Sequence, residues 1–509
     1  MSEQLTMKKN KQGNKKLTNR PLVLASVMLA MFMGAIEATI VSTAMPAIVA
    51  DLGGFRLYSW VFSAYLLMNS VTVLIYGKLS DLFGRKPVLF FGIIFFLLGS
   101  LLCGFAGSMK ALIFYRCIQG FGAGAVMPLA TTIVGDIYTK EERAGIQGYL
   151  SSVWGISAII GPAIGGILVQ YVSWHYVFWI NIPLGLLAMA GLAFFLHEEV
   201  EKKKHQVDYL GAVLLSVAIF SLMYVLVEGG NGFSWGSPQI ILLLGGSVLF
   251  LFLFILQERR AAEPMMPFSI WKERSIRVAN LTSLLTGIML IGISSFLPTF
   301  VQGVMEQSPL VAGFTLTSMS IGWPLASTLA GRMLLSLGYR VTSIIGGVSL
   351  IVGSIVFATM TAETGPFWAA AGSFFIGVGM GLTSTAFIVS IQSSVGWRKR
   401  GIATAANMFM RNLGNTIGAA LLGGILNSQL RHFLNAGTSH TGKKLSLDSV
   451  NILLKEGERN RMPLSVRQLL QDGLTVSLHS VYFVVLVFAV FSLVLVLFIP
   501  KSEREHTEI

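Results

Sequence analysis

The sequence predicts an all-α integral membrane protein with fourteen transmembrane helices, built as two parallel six-helix bundles plus a two-helix insertion. Apolar residues make up 54% of the 509 residues and charged residues only 12%, about half the charged share of a soluble domain. The charges cluster in short islands, and the apolar runs between them reach the roughly 20 residues that cross a bilayer. Two blocks of sequence also recur in the same order, which indicates a duplication.

The charged islands separate fourteen apolar spans, which we number in chain order. Span 1 is followed by too much further membrane sequence to be a cleaved signal peptide. The predicted spans are 21–46, 57–77, 88–106, 110–136, 147–171, 176–197, 209–228, 238–256, 276–301, 309–331, 341–361, 365–393, 401–427 and 474–499.

The basic residues predict the orientation of the chain. With the N-terminus inside, the cytoplasmic segments hold 26 of the 37 Lys and Arg, and the outer segments hold nine. Seven of those nine lie in the long 428–473 segment, so the short loops that determine orientation strongly favour this arrangement. Both termini are therefore expected in the cytoplasm. The net charge of +13 has no continuous basic face, so we expect no nucleic-acid partner.

The recurring blocks define the domain organisation. GKLSDLFGRK at 77–86 matches GRMLLSLGYR at 331–340 with an offset of 254 residues, and a glycine-rich block at 120–124 matches 377–381 with an offset of 257. Each repeat holds six spans, so both halves have the same orientation, as in secondary transporters whose substrate site lies between the halves. The predicted parts are a cytoplasmic tail (1–20), an N-terminal bundle (21–197), a linker with spans 7 and 8 (198–275), a C-terminal bundle (276–499) with the extracellular segment 428–473, and a cytoplasmic tail (500–509).

Four motifs resemble those of a known family. GKLSDLFGRK is similar to the signature loop of the major facilitator superfamily, and RCIQGFGAG in span 4 is similar to its second, Arg-bearing motif. GISAIIGPAIGG at 155–166 resembles the antiporter motif of span 5. IEATIVSTAMP at 36–46 resembles the span 1 motif of the fourteen-span drug:proton antiporters, which usually reads LDxTIVNVALP.

The resemblance implies a transporter and not an enzyme. It implies that the protein exports amphipathic drugs or toxic compounds in exchange for protons, with the proton gradient as energy source and no cofactor. We expect a monomer in a bacterial plasma membrane, with lipid, small amphipathic substrates and protons as its partners. A rival interpretation is export of one endogenous metabolite, siderophore or lipid, and another is a membrane receptor or assembly factor without transport. A membrane enzyme is disfavoured, since no nucleophile motif, metal cluster or paired acids appear.

Glu37 is the predicted proton carrier because it is the only acid deep inside a span. A charged residue at a helix centre costs about 2.5–3.5 kcal/mol on insertion scales, which makes it a functional candidate. Counted from the outer helix ends at 1.5 Å per residue, Glu37 lies at about 15 Å and Arg116 of span 4 at about 10 Å. The sequence therefore predicts a direct or water-bridged pair that exchanges protons; the alternative is a static buried ion pair.

The loop after span 2 is the predicted cytoplasmic gate. Gly77 and Gly84 permit a tight turn, and Asp81 is an acceptor among basic donors. The echo of this loop in the second repeat has Leu335 in place of the acid. The resemblance implies a latch that secures the state closed to the cytoplasm, and the alternative is a topology signal. The predicted gate consists of Gly77, Asp81, Gly84, Arg85 and Lys86, with Lys78 of lesser importance.

Span 5 is predicted to form a moving helix interface. Its small residues allow a helix of the other half to approach closely, and its proline removes a backbone donor. The residues of this antiporter motif are Gly155, Gly161, Pro162, Gly165 and Gly166. Weaker candidates for the substrate cavity are Tyr65, Asn69, Gln119, Trp154, Asn181 and Arg411. For Arg411, snorkelling towards the cytoplasm or a packing role are the alternatives to substrate contact.

Overall fold

The computed structural model describes residues 18–52, 58–198, 208–229, 233–262, 264, 266–441, 453 and 462–500. Within these residues the fourteen predicted spans are all helical, and the predicted fold class is confirmed. Span 6 is made of two consecutive helices. The helices are Arg20–Leu52, Tyr58–Phe83, Arg85–Gly104, Met109–Ile137, Lys140–Tyr171, His175–Trp179 with Asn181–Phe195, Tyr209–Glu228, Pro238–Glu258, Arg274–Gly303, Pro309–Ser336, Gly338–Ala358, Gly365–Ser394, Trp397–Thr441 and Leu464–Val496.

Twelve of the fourteen spans are long and apolar enough to cross a membrane by length and hydropathy alone. The other two, spans 10 and 13, pack against the opposite half of the molecule: span 10 against span 5, and span 13 against span 2. A helix face that is covered by protein tolerates polar residues that lipid would not. Ser327 on span 10, for example, bonds to Ser151 on span 5, with 3.1 Å between the hydroxyl oxygens.

Side-chain caps fix where several spans begin. The Ser108 hydroxyl accepts from the N–H of Ala111 (3.2 Å) before span 4. Thr139 and Glu142 form a reciprocal capping box at the start of span 5. Asp208 accepts from an N–H in the first turn of span 7. The first N–H groups of a helix lack intrahelical partners, so these caps stabilise the starts of spans 4, 5 and 7 at the ends of polar loops.

The two halves repeat one backbone design. Gly84 (φ 95°) and Gly338 (φ 80°), which are 254 residues apart, both adopt the left-handed region between consecutive spans. A Cβ on Gly120 would meet the backbone of Tyr65, and a Cβ on Gly377 would meet the backbone of Met319. Tyr65 and Met319 are again 254 residues apart, so equivalent helices pack through equivalent glycines, as a duplication requires.

Each half has its own apolar core, and a further cluster joins the halves. The shared cluster combines Leu74 of span 2 and Ile402 of span 13 with Ile219 of span 7 and Phe254 of span 8. Ile270, on the short 3₁₀ turn Phe268–Lys272 that leads into span 9, is buried in the same cluster. Spans 7 and 8 therefore pack beside the seam between spans 2 and 13.

Candidate functional site: a buried ion pair and a charged latch

The first feature of the site is an ion pair in the N-terminal half. Glu37 of span 1 is 0% exposed, and its Oε1 pairs with the guanidinium of Arg116 on span 4. The Asn181 amide at the start of the second helix of span 6 donates to the other carboxylate oxygen at 2.5 Å. Both oxygens of Glu37 therefore have charge-assisted partners, as a buried carboxylate requires.

A second layer of contacts orients Arg116. Its Nε donates to the carbonyl of Val61 (3.1 Å), and a terminal nitrogen donates to Oε1 of Gln119 (2.6 Å). The Gln119 amide in turn donates to the hydroxyl of Ser100 at 2.8 Å. The guanidinium carbon lies 4.4 Å from the ring centroid of Tyr65, within the range of a cation–π contact. Spans 1, 2, 3, 4 and 6 all contribute to this cluster.

Span 5 packs directly beside the ion pair. The Thr39 hydroxyl, on span 1 two residues beyond Glu37, donates to the carbonyl of Ser157 at 3.1 Å. A Cβ on Gly161 would collide with Thr39, and one on Gly165 would lie 3.0 Å from Ile40. The antiporter motif of span 5 is therefore in contact with the helix that carries Glu37.

The antiporter glycines divide between two neighbours. Gly155 faces the other half, because a Cβ there would lie 2.8 Å from the carbonyl of Ser320 on span 10. Gly161 and Gly165 face span 1 of their own half, and Gly166 has open space around it. The expectation that these glycines form a groove for a helix of the other half therefore holds for Gly155 alone.

The second feature is a charged latch between the halves. The Asp81 carboxylate accepts from the backbone N–H groups of Gly401 (2.9 Å) and Ile402 (2.8 Å), in the first turns of span 13 and 320 or more residues away. Arg85 lies 2.6 Å from the same carboxylate. The loop acid thus accepts from backbone N–H groups of a helix of the opposite half, near the N-terminal end that the helix dipole makes favourable for an anion.

Further bonds extend this latch across the seam. Arg85 also bonds to Asp136 (3.0 Å) and to the carbonyl of Trp397 (2.7 Å), with its guanidinium carbon 4.2 Å from the Trp397 ring. Arg400 reaches back from span 13 to Asp136 at 2.5 Å. We call the end of the molecule that carries Asp81, Arg85, Asp136 and Arg400 the latch end. Each half supplies both donors and acceptors there, so the two halves are held together at that end.

Local geometry explains the remaining gate residues. A Cβ on Gly77 would collide with Ala405 and lie 3.2 Å from the carbonyl of Gly401, so only glycine allows this approach of spans 2 and 13. Lys86 donates to the carbonyls of Ala193 (2.9 Å) and Leu196 (2.8 Å) within its own half. Lys86 therefore ties the loop to span 6 and not to the opposite half.

The cavity candidates fall into two groups. Tyr65, Gln119 and Asn181 are buried against the ion pair. Asn69 and Arg411 are partly exposed, and Trp154 is 46% exposed. The structure thus separates an inner polar cluster from residues on more open surfaces.

Sequence reasoning assigned no gate role to Asp136, Trp397 and Arg400, which complete the latch. A weak signal existed for Arg400, because it aligns with Arg143 in the first repeat. Asp136 lies at the end of span 4, where the sequence alone does not distinguish an acid that joins the latch from a polar residue that only ends the helix. The contacts between loop residues across the seam depend on how the two halves dock. The hydropathy of the sequence does not determine that docking.

Two parallel six-span halves, with polar contacts concentrated between their helices, define the secondary-transporter class of membrane protein. The sequence model of the Major Facilitator Superfamily matches residues 27–419. The chain belongs to that superfamily, whose members are transporters, and it is a multi-pass membrane protein.

Relatives and a solved structure agree with this assignment. The chain is 34% identical over 498 residues to Multidrug resistance protein 3 of Bacillus subtilis, with 97% of each chain covered. It is 34% identical over 428 residues to Multidrug transporter protein MdtP of the same organism, covering 84% of this chain and 79% of that one. The proton:xylose symporter XylE matches with a TM-score of 0.61 at 12% identity over 94% of this chain and 96% of its own, which shows the fold alone.

Proposed function

We propose that the protein exports amphipathic drugs or toxic compounds by proton-coupled antiport and alternating access. The observation that carries this proposal is the fully buried Glu37–Arg116 pair, in a chain that aligns along nearly its whole length with a multidrug resistance protein. Burial disfavours the carboxylate and the guanidinium favours it, so small changes in water access move a proton on or off. The bacterial plasma membrane, cytoplasmic termini and a monomeric state belong to the same proposal.

Asn181 gives the pair a second arrangement. Its Nδ2 donates to the ionised Glu37, while its buried Oδ1 has no partner within the part of the chain that the structure describes. A protonated Glu37 loses one acceptor and gains an O–H donor, which an amide turned by 180° accepts through Oδ1. In our proposal Asn181 therefore serves both protonation states, and its reorientation accompanies proton exchange.

The latch supplies the conformational half of the proposal. In our proposal the bonds of Asp81 to span 13 close the latch end, and substrate then enters or leaves at the other end. For substrate to load from the latch end, these bonds must break. Glu37 lies beside span 5, and span 5 packs against both halves. Protonation of Glu37 would then be transmitted through the contacts between spans 1 and 5.

An accumulation screen tests this function. Cells with and without the protein are exposed to dyes, antibiotics and metabolites, with and without an uncoupler. Lower accumulation of several unrelated amphipathic compounds, abolished by the uncoupler, is the expected result. Export of one metabolite only would favour the rival function, and no change for any compound would contradict transport.

A further inference from the structure

Arg411 is a basic side chain inside span 13 that has no partner among the described residues. It lies ten residues beyond Gly401, about 15 Å along the helix from the latch end at 1.5 Å per residue. It is only partly exposed, and within the described residues its guanidinium makes no hydrogen bond, ion pair or ring contact. Arg116, which also lies deep inside a span, has Glu37 as its counter-ion. A lone cation at this depth is a candidate for a functional site.

The packing of span 13 shows that Arg411 faces protein. Asn407, four residues earlier and on the same helix face, donates to Asn280 (3.1 Å) and Ser283 (2.8 Å) of span 9. A Cβ on Gly287 of span 9 would collide with the carbonyl oxygen of Arg411. The face that carries Arg411 therefore lies along span 9 in the C-terminal half and not along lipid.

The surroundings of Arg411 are polar and uncharged. Asn280 is fully buried, and its Nδ2 donor has no partner among the residues that the structure describes. Asn415, one turn beyond Arg411, has a buried Oδ1 to which no described residue donates. Long helical side chains point back towards the helix N-terminus, so the guanidinium extends towards the level of Asn407 and its neighbour Asn280. Arg411 and Asn280 thus bring two unpaired donors to one region, and the described residues supply no carboxylate for them.

We propose that Arg411, assisted by Asn280, binds the acidic group of an exported compound. This inference rests on the proposed export function and names its substrate class: amphipathic carboxylates and zwitterions. The charges of Glu37 and Arg116 cancel, so Arg411 leaves the described interior of the spans with one net positive charge. An anionic group on the substrate compensates that charge and occupies the unpaired donors. Cations without an acidic group lack this interaction, and dications are repelled.

A matched pair of dyes tests the proposal on the full-length protein in lipid nanodiscs. Tetramethylrhodamine carries a free carboxylate, and its methyl ester has the same cationic ring system without the acid. A charge-assisted bond of the usual strength corresponds to about tenfold or more in affinity. We expect the free acid to bind at least tenfold more tightly than the ester, and Arg411→Met to reduce the two affinities to the same value. Arg411→Lys should retain part of the preference.

Controls separate binding from folding. Arg332→Met removes an exposed basic residue of the same half and should leave the preference unchanged. Arg411→Met without ligand should melt no lower than wild type, because it removes an uncompensated charge, and only its stabilisation by the free acid should be lost. A lower melting temperature of unliganded Arg411→Met would show a structural role and overturn the proposal.

Other outcomes are equally decisive. Equal binding of acid and ester by wild type, or binding of neither, would overturn the proposal. Transport in proteoliposomes distinguishes this failure from failure of the proposed function. Export of the ester without preference for the acid leaves export intact and rejects the role of Arg411. Tight binding of the acid without transport of either dye supports the site and contradicts export.

Discussion

Glu37 has no solvent contact, and each of its carboxylate oxygens has a partner on another span. Replacing Glu37 with Gln removes the titrating group at nearly constant volume. Uphill efflux driven by a pH gradient should then disappear, while substrate still equilibrates down its own gradient. Glu37→Asp keeps the carboxylate but shortens its reach, and such a misplacement can cost on the order of a hundredfold in rate. Efflux from proteoliposomes with an imposed pH gradient measures the activity of both variants. Full uphill transport by Glu37→Gln would show that Glu37 is not the proton carrier.

Stability gives an independent test of the same pair. Removing one member of a buried ion pair leaves an uncompensated charge and costs about 3–5 kcal/mol, whereas replacing both members costs far less. We expect Glu37→Gln to lower the melting temperature clearly, and the double variant Glu37→Gln/Arg116→Met to recover most of the loss. Thermal unfolding in one detergent or nanodisc preparation measures all three proteins. A double variant less stable than the single one would show that Arg116 stabilises the fold through Val61, Gln119 and Tyr65 rather than through Glu37.

Residue-level prediction from the sequence succeeds where a residue type is out of place. An acid and an arginine within apolar runs stand out, and the structure places Glu37 and Arg116 in contact. For Asn181 and Gln119 the sequence indicates only a weak candidacy for the cavity, since uncharged amides are common in spans. Their contacts with the pair depend on the rotation of spans 4 and 6 about their axes, which the apolar pattern of a span does not determine.

At the scale of elements, the latch makes a prediction about the loop between spans 2 and 3. Asp81→Asn keeps an acceptor for the N–H groups of Gly401 and Ile402 but removes the charge that Arg85 and the start of span 13 require. Insertion should be unchanged, and turnover should slow because the closed latch end loses stability. Leu335→Asn is the matched control, at the equivalent position of the second repeat, where the side chain is 57% exposed. The measurement is the initial efflux rate of the Asp81→Asn and Leu335→Asn variants at equal expression. Equal rates would show that the loop acts only as a topology signal.

The existence and order of the helices followed from the sequence because lipid imposes long apolar runs, but their ends did not. Span 13 is predicted from 401 and begins at Trp397, and the four added residues include Arg400 of the latch. The three basic residues at 398–400 form a charged island, which the sequence predicts to lie outside the membrane helix. In the structure the helix begins within the island, where the carbonyl of Trp397 accepts from Arg85 and Arg400 pairs with Asp136 of the opposite half.

At the scale of the whole molecule, the duplication is the strongest global signal in the sequence. It predicts two parallel halves. In the structure Gly120 and Gly377 make equivalent helix contacts in the two halves, as the duplication predicts. The differences between the repeats do not follow from the duplication. Asp81 has no acidic equivalent, Arg411 aligns with Trp154, and spans 7 and 8 belong to neither repeat. Symmetry predicts what the halves share, and the charged chemistry of this chain lies largely where they differ.

The orientation of the whole chain yields the last prediction. The latch places Arg85, Trp397 and Arg400 at one end of the molecule, and 26 of the 37 Lys and Arg fall in segments of that same predicted side. Single cysteines replacing His205 and Lys399 should therefore react only with reagent supplied from the cytoplasm, and one replacing Val450 only from outside. Positions 205 and 450 lie outside the described residues, so labelling also tests segments that the structure leaves open. The native Cys103 and Cys117 are first replaced by Ala, so that each signal belongs to one position. Labelling at 450 from the cytoplasm would contradict the fourteen-span order, because the two halves would no longer be parallel.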